Sequence, residues 1–368
     1  MMDLILPRLD KVEILTIYLG NQCNFDCNYC DRGYINSIGS QAVSRGVADE
    51  MYEFIKWVAS QPNNVQYISL HGGEPLLFAN RINQIMKWLA PLAKDAGWNI
   101  GITTNGSLVK KHEWLFEKYS GHIRATVSYD FMFQEENRDE LDVMEMAEVL
   151  NKHSPEWKWQ TVIPINDPRC FSFPAIQNIV NTCYATGCRT INVIPLRHHR
   201  GKDKFDVLID RIDLEQFLGA FIDFLQILYI KKLTVFIDGN YTMIDKAYFG
   251  EHQKLILSPD GYMYPEFDFL EYQMHQFRIG NWKTKEIWEP QGDGDRILPQ
   301  CHECPMKAAC GLKYLYKMFD EEPKGNCKKF YKYLNFATFH LMKMKDKKTM
   351  LEWIGIKDDF KVKDENRK

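Results

Sequence analysis

A chain of 368 residues, 45% hydrophobic and 26% charged, has an ordinary globular composition and room for one large α/β domain plus a smaller module. Its net charge of -3 argues against a general binder of nucleic acid or membrane surface, which needs a basic surplus to neutralise phosphates. No apolar run reaches the roughly 18 residues of a membrane span, and the opening Met-Met-Asp-Leu-Ile-Leu-Pro-Arg lacks the layout of a secretion signal, so a cytoplasmic protein is expected. There, ten cysteines read as metal ligands or free thiols rather than disulfides, and seven of the ten fall in two clusters.

Short β-branched or apolar runs alternate with longer amphipathic stretches up to about residue 230, the pattern of repeated βα units on a parallel sheet. Strands are predicted at 12–19, 66–70, 99–103, 125–129, 160–165 and 190–194. Helices are predicted at 48–60, 81–93, 112–119, 141–152, 174–186 and 214–230, most with apolar residues three and four apart. Six βα units are too few to close an eight-unit barrel, so the expected fold is α/β, a partial (β/α)6 TIM-like barrel with its site at the carboxyl ends of the strands. The polar stretch from Arg197 to Asp206, with His198, His199 and Arg200, reads as a solvated connection or a substrate-facing loop. From about Lys232 short strands and turns take over, with a hairpin at 255–264 turning on Asp260-Gly261. The expected division is 1–231 for the barrel, 232–330 for a small second domain, and 331–368 for a carboxyl-terminal helix and lysine-rich tail.

The first cysteine cluster directly follows the first predicted strand. Cys23, Cys27 and Cys30 are spaced C-x3-C-x2-C, with Tyr29 before the last. Three thiolates held this way suit a four-iron cluster with one iron open to a ligand. Zinc, or three buried thiols, satisfies the same spacing, because cysteine spacing alone does not name the metal. His71-Gly72-Gly73-Glu74-Pro75 follows the second strand: its glycines allow close backbone approach to a ligand, and Glu74 offers an acceptor for a cationic amine. A plain strand-to-helix turn reads the same way. Thr103-Thr104-Asn105-Gly106 and Ser128-Tyr129-Asp130 end the third and fourth strands with short polar side chains at the rim, where Asn105 is equally a turn former tolerating positive φ.

These motifs together resemble the radical S-adenosylmethionine (SAM) enzymes. The resemblance implies SAM chelated on the open iron of a 4Fe-4S cluster, reductive cleavage to a 5'-deoxyadenosyl radical, and hydrogen-atom abstraction from a substrate. Cys23, Cys27 and Cys30 become the catalytic cluster ligands. Tyr29, Gly72, Gly73, Glu74, Asn105, Ser128, Asp130 and Asn166 become cofactor-binding candidates. Arg138, eight residues beyond Asp130, stands where relatives carry an arginine that pairs with the SAM carboxylate, a bidentate task that suits guanidinium better than ammonium.

The second cluster, Cys301, Cys304, Cys310 and Cys327, is spaced C-x2-C-x5-C-x16-C and can close a second 4Fe-4S cluster or a structural zinc site. It resembles the SPASM extension of radical SAM enzymes, as do Ser258-Pro259-Asp260-Gly261-Tyr262-Met263-Tyr264-Pro265 and Ile279-Gly280-Asn281-Trp282. Glu266 and Tyr314 stand where that family has cysteines, so only one auxiliary cluster is expected, and either residue has a substrate role or merely fills space. Cys170, Cys183 and Cys188 read as buried free thiols, one of which can alternatively donate a hydrogen atom to a substrate radical.

The resemblance implies an oxidoreductase that modifies a ribosomally made peptide or protein by crosslinking, epimerisation or oxidation. The alternative is a radical SAM enzyme acting on a small molecule, nucleoside or nucleic acid, with the lysine-rich tail on phosphates. A third reading is a non-enzymatic zinc module. The first cluster lies near the amino end, so leader recognition is expected from a separate leader-peptide-binding protein or from the barrel. The electron donor is expected to be of flavodoxin or ferredoxin type, and no membrane partner is expected.

Overall fold

The computed structural model describes residues 9, 12–30, 42–164, 167–196, 198–201, 204–207, 213–237, 254–264, 270, 275, 278–288 and 299–302. Six βα-type strands appear where the sequence predicts them: β1 (Ile14–Tyr18), β2 (Tyr67–His71), β3 (Asn99–Thr104), β4 (Ile123–Ser128), β5 (Lys158–Pro164) and β6 (Thr190–Leu196). They pair in parallel in that order. Two more parallel strands extend the sheet, β9 (Thr234–Ile237) beside β6 and β10 (Lys254–Leu257) beside β1. Eight strands therefore run parallel where six were predicted, and the sheet continues past residue 231. It does not close, since β9 ends it on one side while β10 continues into the antiparallel strands β11 (Tyr262–Tyr264), β12 (Gly280–Asn281) and β13 (Glu286–Ile287). The expected partial barrel stands, and the predicted hairpin is the β10–β11 pair, Ile256 opposite Tyr264. The segment read as a connection after β6 instead pairs as β7 (His198–Gly201) and β8 (Lys204–Val207), a two-stranded antiparallel sheet. Its histidines, arginine and lysine carry no apolar alternation from which pairing can be read.

The helices form for local reasons. In α1 (Arg45–Ser60) the Ser44 hydroxyl accepts from Val47 N, and Ala48, Met51, Phe54, Ile55 and Val58 line one buried stripe. The next helix, α2 (Ala79–Ala96), stops at Gly97, whose φ of 74° is the left-handed conformation that ends helices. After α3 (Glu113–Lys118) and the single turn α4 (Gln134–Asn137), α5 (Val143–His153) is capped by Asp142 through the N–H groups of Met144 and Glu145. Ser172 caps α6 (Phe173–Ala185), with a proline in its first turn. The last long helix is α7 (Leu214–Ile230) and a single turn, α8 (Pro299–His302), follows.

Strand alternation sorts the sheet into two faces. Leu15, Ile17, Ile68, Leu70, Ile100, Ile102, Val127, Ile191 and Val193 are buried in the core that the helices cover. The opposite, inner face is polar: Thr16, Ser69, Thr103, Thr126, Ser128, Gln160 and Asn192 alternate with those residues. Near the amino-terminal end of this face Tyr67 fills the space left by Gly101, where a Cβ would overlap the tyrosine ring. Burial pushes the Tyr67 phenol up to about 12, against the pull of Arg124.

Gly101→Ala should therefore cost about 1–3 kcal/mol in urea unfolding. Combined with Tyr67→Ser, it should show a favourable coupling in a double-mutant cycle; strict additivity would mean the ring does not occupy that space.

Candidate active site

The cysteine loop leaves β1 and runs against the tip of β2. Leu19 N donates to His71 O at 2.7 Å, Gly73 N to Gly20 O at 2.8 Å and Glu74 N to Gln22 O at 2.7 Å. Side chains on Gly72 and Gly73 would collide with the backbone oxygens of Gly20 and Gln22. The close approach these glycines permit is thus to the cysteine loop itself, not only to a ligand.

Glu74 is fully buried. Its carboxylate accepts from Leu76 N (2.9 Å), the Thr104 hydroxyl (2.7 Å) and Asn105 N (2.7 Å), which ties the tip of β2 to that of β3. Burial raises its pKa, opposed by these three hydrogen bonds and by Arg138. At the β3 tip, Asn105 Nδ2 donates to Asn24 Oδ1 (3.0 Å), Asn24 Nδ2 to Ser107 Oγ (2.9 Å), and Ser107 Oγ to Asn105 Oδ1 (2.7 Å). This ring of three anchors the cysteine loop to β3. Asn105 Nδ2 also lies 4.0 Å from Cys23 Sγ. The left-handed residue of this turn is Gly106, with φ of 85°, rather than Asn105.

The loop reaches β4 through Tyr29 and Asn28. Tyr29 donates to Asp130 Oδ2 at 2.7 Å, and Asp130 Oδ1 accepts from Val162 N at 3.2 Å on β5. Asn28 N donates to Asn137 O (3.0 Å), while its side chain donates to Asn137 Oδ1 (3.0 Å) and Glu136 O (3.3 Å). Phe131, just after Asp130, takes a φ of 52°, held by ring contacts to Tyr129 and Trp159 at 5.2 and 5.7 Å. Arg138 follows α4, its guanidinium 6.0 Å from the Tyr29 ring centre. Its Nε is buried and has no hydrogen-bond partner among the described residues. Burial works against that charge, yet Tyr29, Asp130, Cys27 and Cys30 outweigh it and raise the pKa. Burial likewise raises Asp130 and Tyr29.

Cys27 is buried, and Cys23 and Cys30 are half-buried. Burial is the main reason the Cys27 thiol is pushed up to about 11; Arg138 lowers it, while Cys30, Cys23 and Asp130 add to the rise. The three side chains do not form a closed metal cage, for among the described residues no three His, Cys, Asp or Glu side chains are gathered in that way. Two features nevertheless fit an iron-sulfur cluster with SAM. Three soft thiols share one anchored loop, and a guanidinium beside them keeps a buried N–H unpaired, suited to an anion. Loading a metal must release the Cys27 proton.

Of the other predicted residues, Ser128 sits at the rim, its hydroxyl accepting from Gln160 Nε2 at 3.2 Å. Cys170, Cys183 and Cys188 are buried, their thiols raised to about 12, 12 and 11 chiefly by burial. Cys301 lies on α8. Asn166, Glu266, Cys304, Cys310, Tyr314 and Cys327 fall outside the described residues. Sequence reasoning missed Asn24 and Asn28, although each directly follows a motif cysteine. It also missed Gln160 and Asn192, which strand alternation marks as inner-face polar residues.

Residues 17–161 match the model of the Radical SAM superfamily, whose chemistry implies SAM and a 4Fe-4S cluster. The curated relatives include a probable GTP 3',8-cyclase of Methanococcus aeolicus, 30% identical over 120 residues, which are 33% of this chain and 38% of the relative's length. Among solved structures, anSMEcpe with bound AdoMet superposes with a TM-score of 0.61 at 18% identity, over 90% of this chain and 98% of that one. Streptococcus suis SuiB bound to its precursor peptide SuiA gives 0.58 at 15% identity, over 86% and 74%. Identities this low show a shared fold. No helix among the described residues is long and apolar enough to cross a membrane.

Asn28→Ala removes two of the bonds that tie the loop to α4. After anaerobic reconstitution it should lose iron to a chelator several times faster than wild type, with its circular dichroism unchanged; equal rates would make that tie dispensable.

Proposed function

We propose that the chain is a radical SAM enzyme that modifies a ribosomally made peptide or protein. The observation that carries this reading is the cysteine loop fastened to three successive strand tips, with the unpaired Nε of Arg138 beside its thiols. Cys23, Cys27 and Cys30 would hold the 4Fe-4S cluster, and Cys301, Cys304, Cys310 and Cys327 an auxiliary one. Bound SAM and cluster would supply hydrogen-atom abstraction from the substrate, drawing one electron from a flavodoxin- or ferredoxin-type donor. Arg138 would pair with the SAM carboxylate, and Tyr29 and Asp130 hold that guanidinium in place. The Glu74 carboxylate is engaged inside the protein, so a cofactor amine would fall to backbone carbonyls of residues 72–74. Ser128 would face the ribose, whereas Asn105, buried and bonded to Asn24 and Ser107, would hold the cysteine loop beside it.

A second reading, modification of a nucleotide or other small molecule, is favoured by the relatives named GTP 3',8-cyclase. A peptide comes first because structural neighbours such as SuiB with its precursor peptide cover far more of the chain.

Anaerobically reconstituted protein should release 5'-deoxyadenosine from SAM under dithionite. Replacing Cys23, Cys27 and Cys30 together by alanine should abolish that release while leaving about four irons per chain; persistent release would refute the catalytic assignment. Arg138→Lys should weaken SAM binding roughly tenfold in equilibrium dialysis, because ammonium cannot form the two-point contact.

A further inference from the structure

Ser128, Gln160 and Asn192 lie side by side on β4, β5 and β6, paired in register on three adjacent parallel strands. Asn192 Nδ2 donates to Gln160 Oε1 at 3.2 Å, and Gln160 Nε2 donates to Ser128 Oγ at 3.2 Å. Only 8% of Asn192 is exposed, and Gln160 is half-buried. The row starts at a rim residue of the proposed cofactor site and leads away from the cysteine loop across the inner face. Buried carboxamides in a sheet core are costly unless hydrogen-bonded, and here two strands carry them at matching positions.

We infer that this row is the substrate-reading strip of the site and that it takes the uncharged amide groups of a peptide. Each carboxamide has two N–H donors and two lone pairs, and the bonds within the row use only part of that capacity. Adjacent strands lie about 4.8 Å apart, so the row spans roughly 10 Å, about three residues of extended chain. An extended backbone offers alternating donors and acceptors on the same scale. A nucleoside triphosphate needs cations instead, and this row has none. The cations lower on the same face, Arg124 and Lys158, are both engaged, Arg124 with Glu156 at 2.8 Å. The inference deepens the peptide reading of the proposed function and rests on it for the identity of the chemistry, but not for the binding itself.

The test uses the full chain, anaerobically reconstituted and loaded with SAM, without reductant. The probes are a mixture of N-acetylated, C-amidated tripeptides in one arm and GTP in the other, read by saturation-transfer NMR. Tripeptides should bind wild type, and Asn192→Leu and Gln160→Met should each weaken that binding at least fivefold. Asn192→Ser, small and uncharged, should weaken it too and guards against a variant that fails to fold, and thermal melts check each one. Equal tripeptide binding by wild type and folded variants, no tripeptide binding at all, or binding of GTP alone would overturn the inference. So would a tenfold loss of SAM affinity in Asn192→Leu with tripeptide binding kept, which would hand the row to the cofactor. Adding dithionite separates the two claims. If no 5'-deoxyadenosine forms while the variants still lose tripeptide binding, the radical reading fails and the strip stands.

Discussion

The buried carboxylate of Glu74 is the contact on which the rest of the site depends. An anion with no exposure is tolerable only when its oxygens are well hydrogen-bonded, and here two backbone N–H groups and the Thr104 hydroxyl fill that need. Two of those donors belong to the end of β3, so these bonds hold the tips of β2 and β3 at a fixed spacing. Asn105, placed by that bond, then grips Asn24 in the cysteine loop. The loop is thus held by contacts to protein atoms at the tips of β2 and β3.

A second constraint is electrostatic. Arg138 sits among Tyr29, Asp130, Cys27 and Cys30, all of which favour its charge, while burial disfavours it. Asp130 has a hydrogen bond from Tyr29 on the cysteine loop and another from Val162 on β5, so its position links the loop to the fifth strand. Three metal-bound thiolates would place far more negative charge beside the same guanidinium, which gives an arginine here an electrostatic purpose as well as a geometric one. Lysine would supply the charge without the planar fork.

Local patterns were legible in the sequence and non-local ones were not. β1 to β6 lie where apolar runs predict them, and the hairpin turns on Asp260-Gly261 as expected. β9 and β10 were not recognised as parallel members because each is only four residues long, and β10 pairs with β1, a strand distant in the chain. The cysteine, Gly-Gly-Glu and Asn-Gly segments stood out through spacing and residue type. What they touch did not: Gly72 and Gly73 could be read as making room for a ligand, whereas the backbone of Gly20 and Gln22 occupies that side. Ser128 was visible at a strand end, but its partner Gln160 is 32 residues away and is joined to it only by sheet register.

That last distinction bears on substrate choice. The superfamily match ends at residue 161, so it covers the cysteine loop and the tips of β2 to β4 and reaches only the first half of β5. The contacts that would grip SAM lie almost entirely inside this segment, whereas Asn192 and the strands beyond it lie outside. Likeness within residues 17–161 therefore speaks for the cofactor chemistry and is nearly silent on what the radical would attack. On the proposed reading, substrate selection would fall to the inner face of β5 and β6, where an uncharged carboxamide row suits a peptide amide and holds no cation of its own for a phosphate.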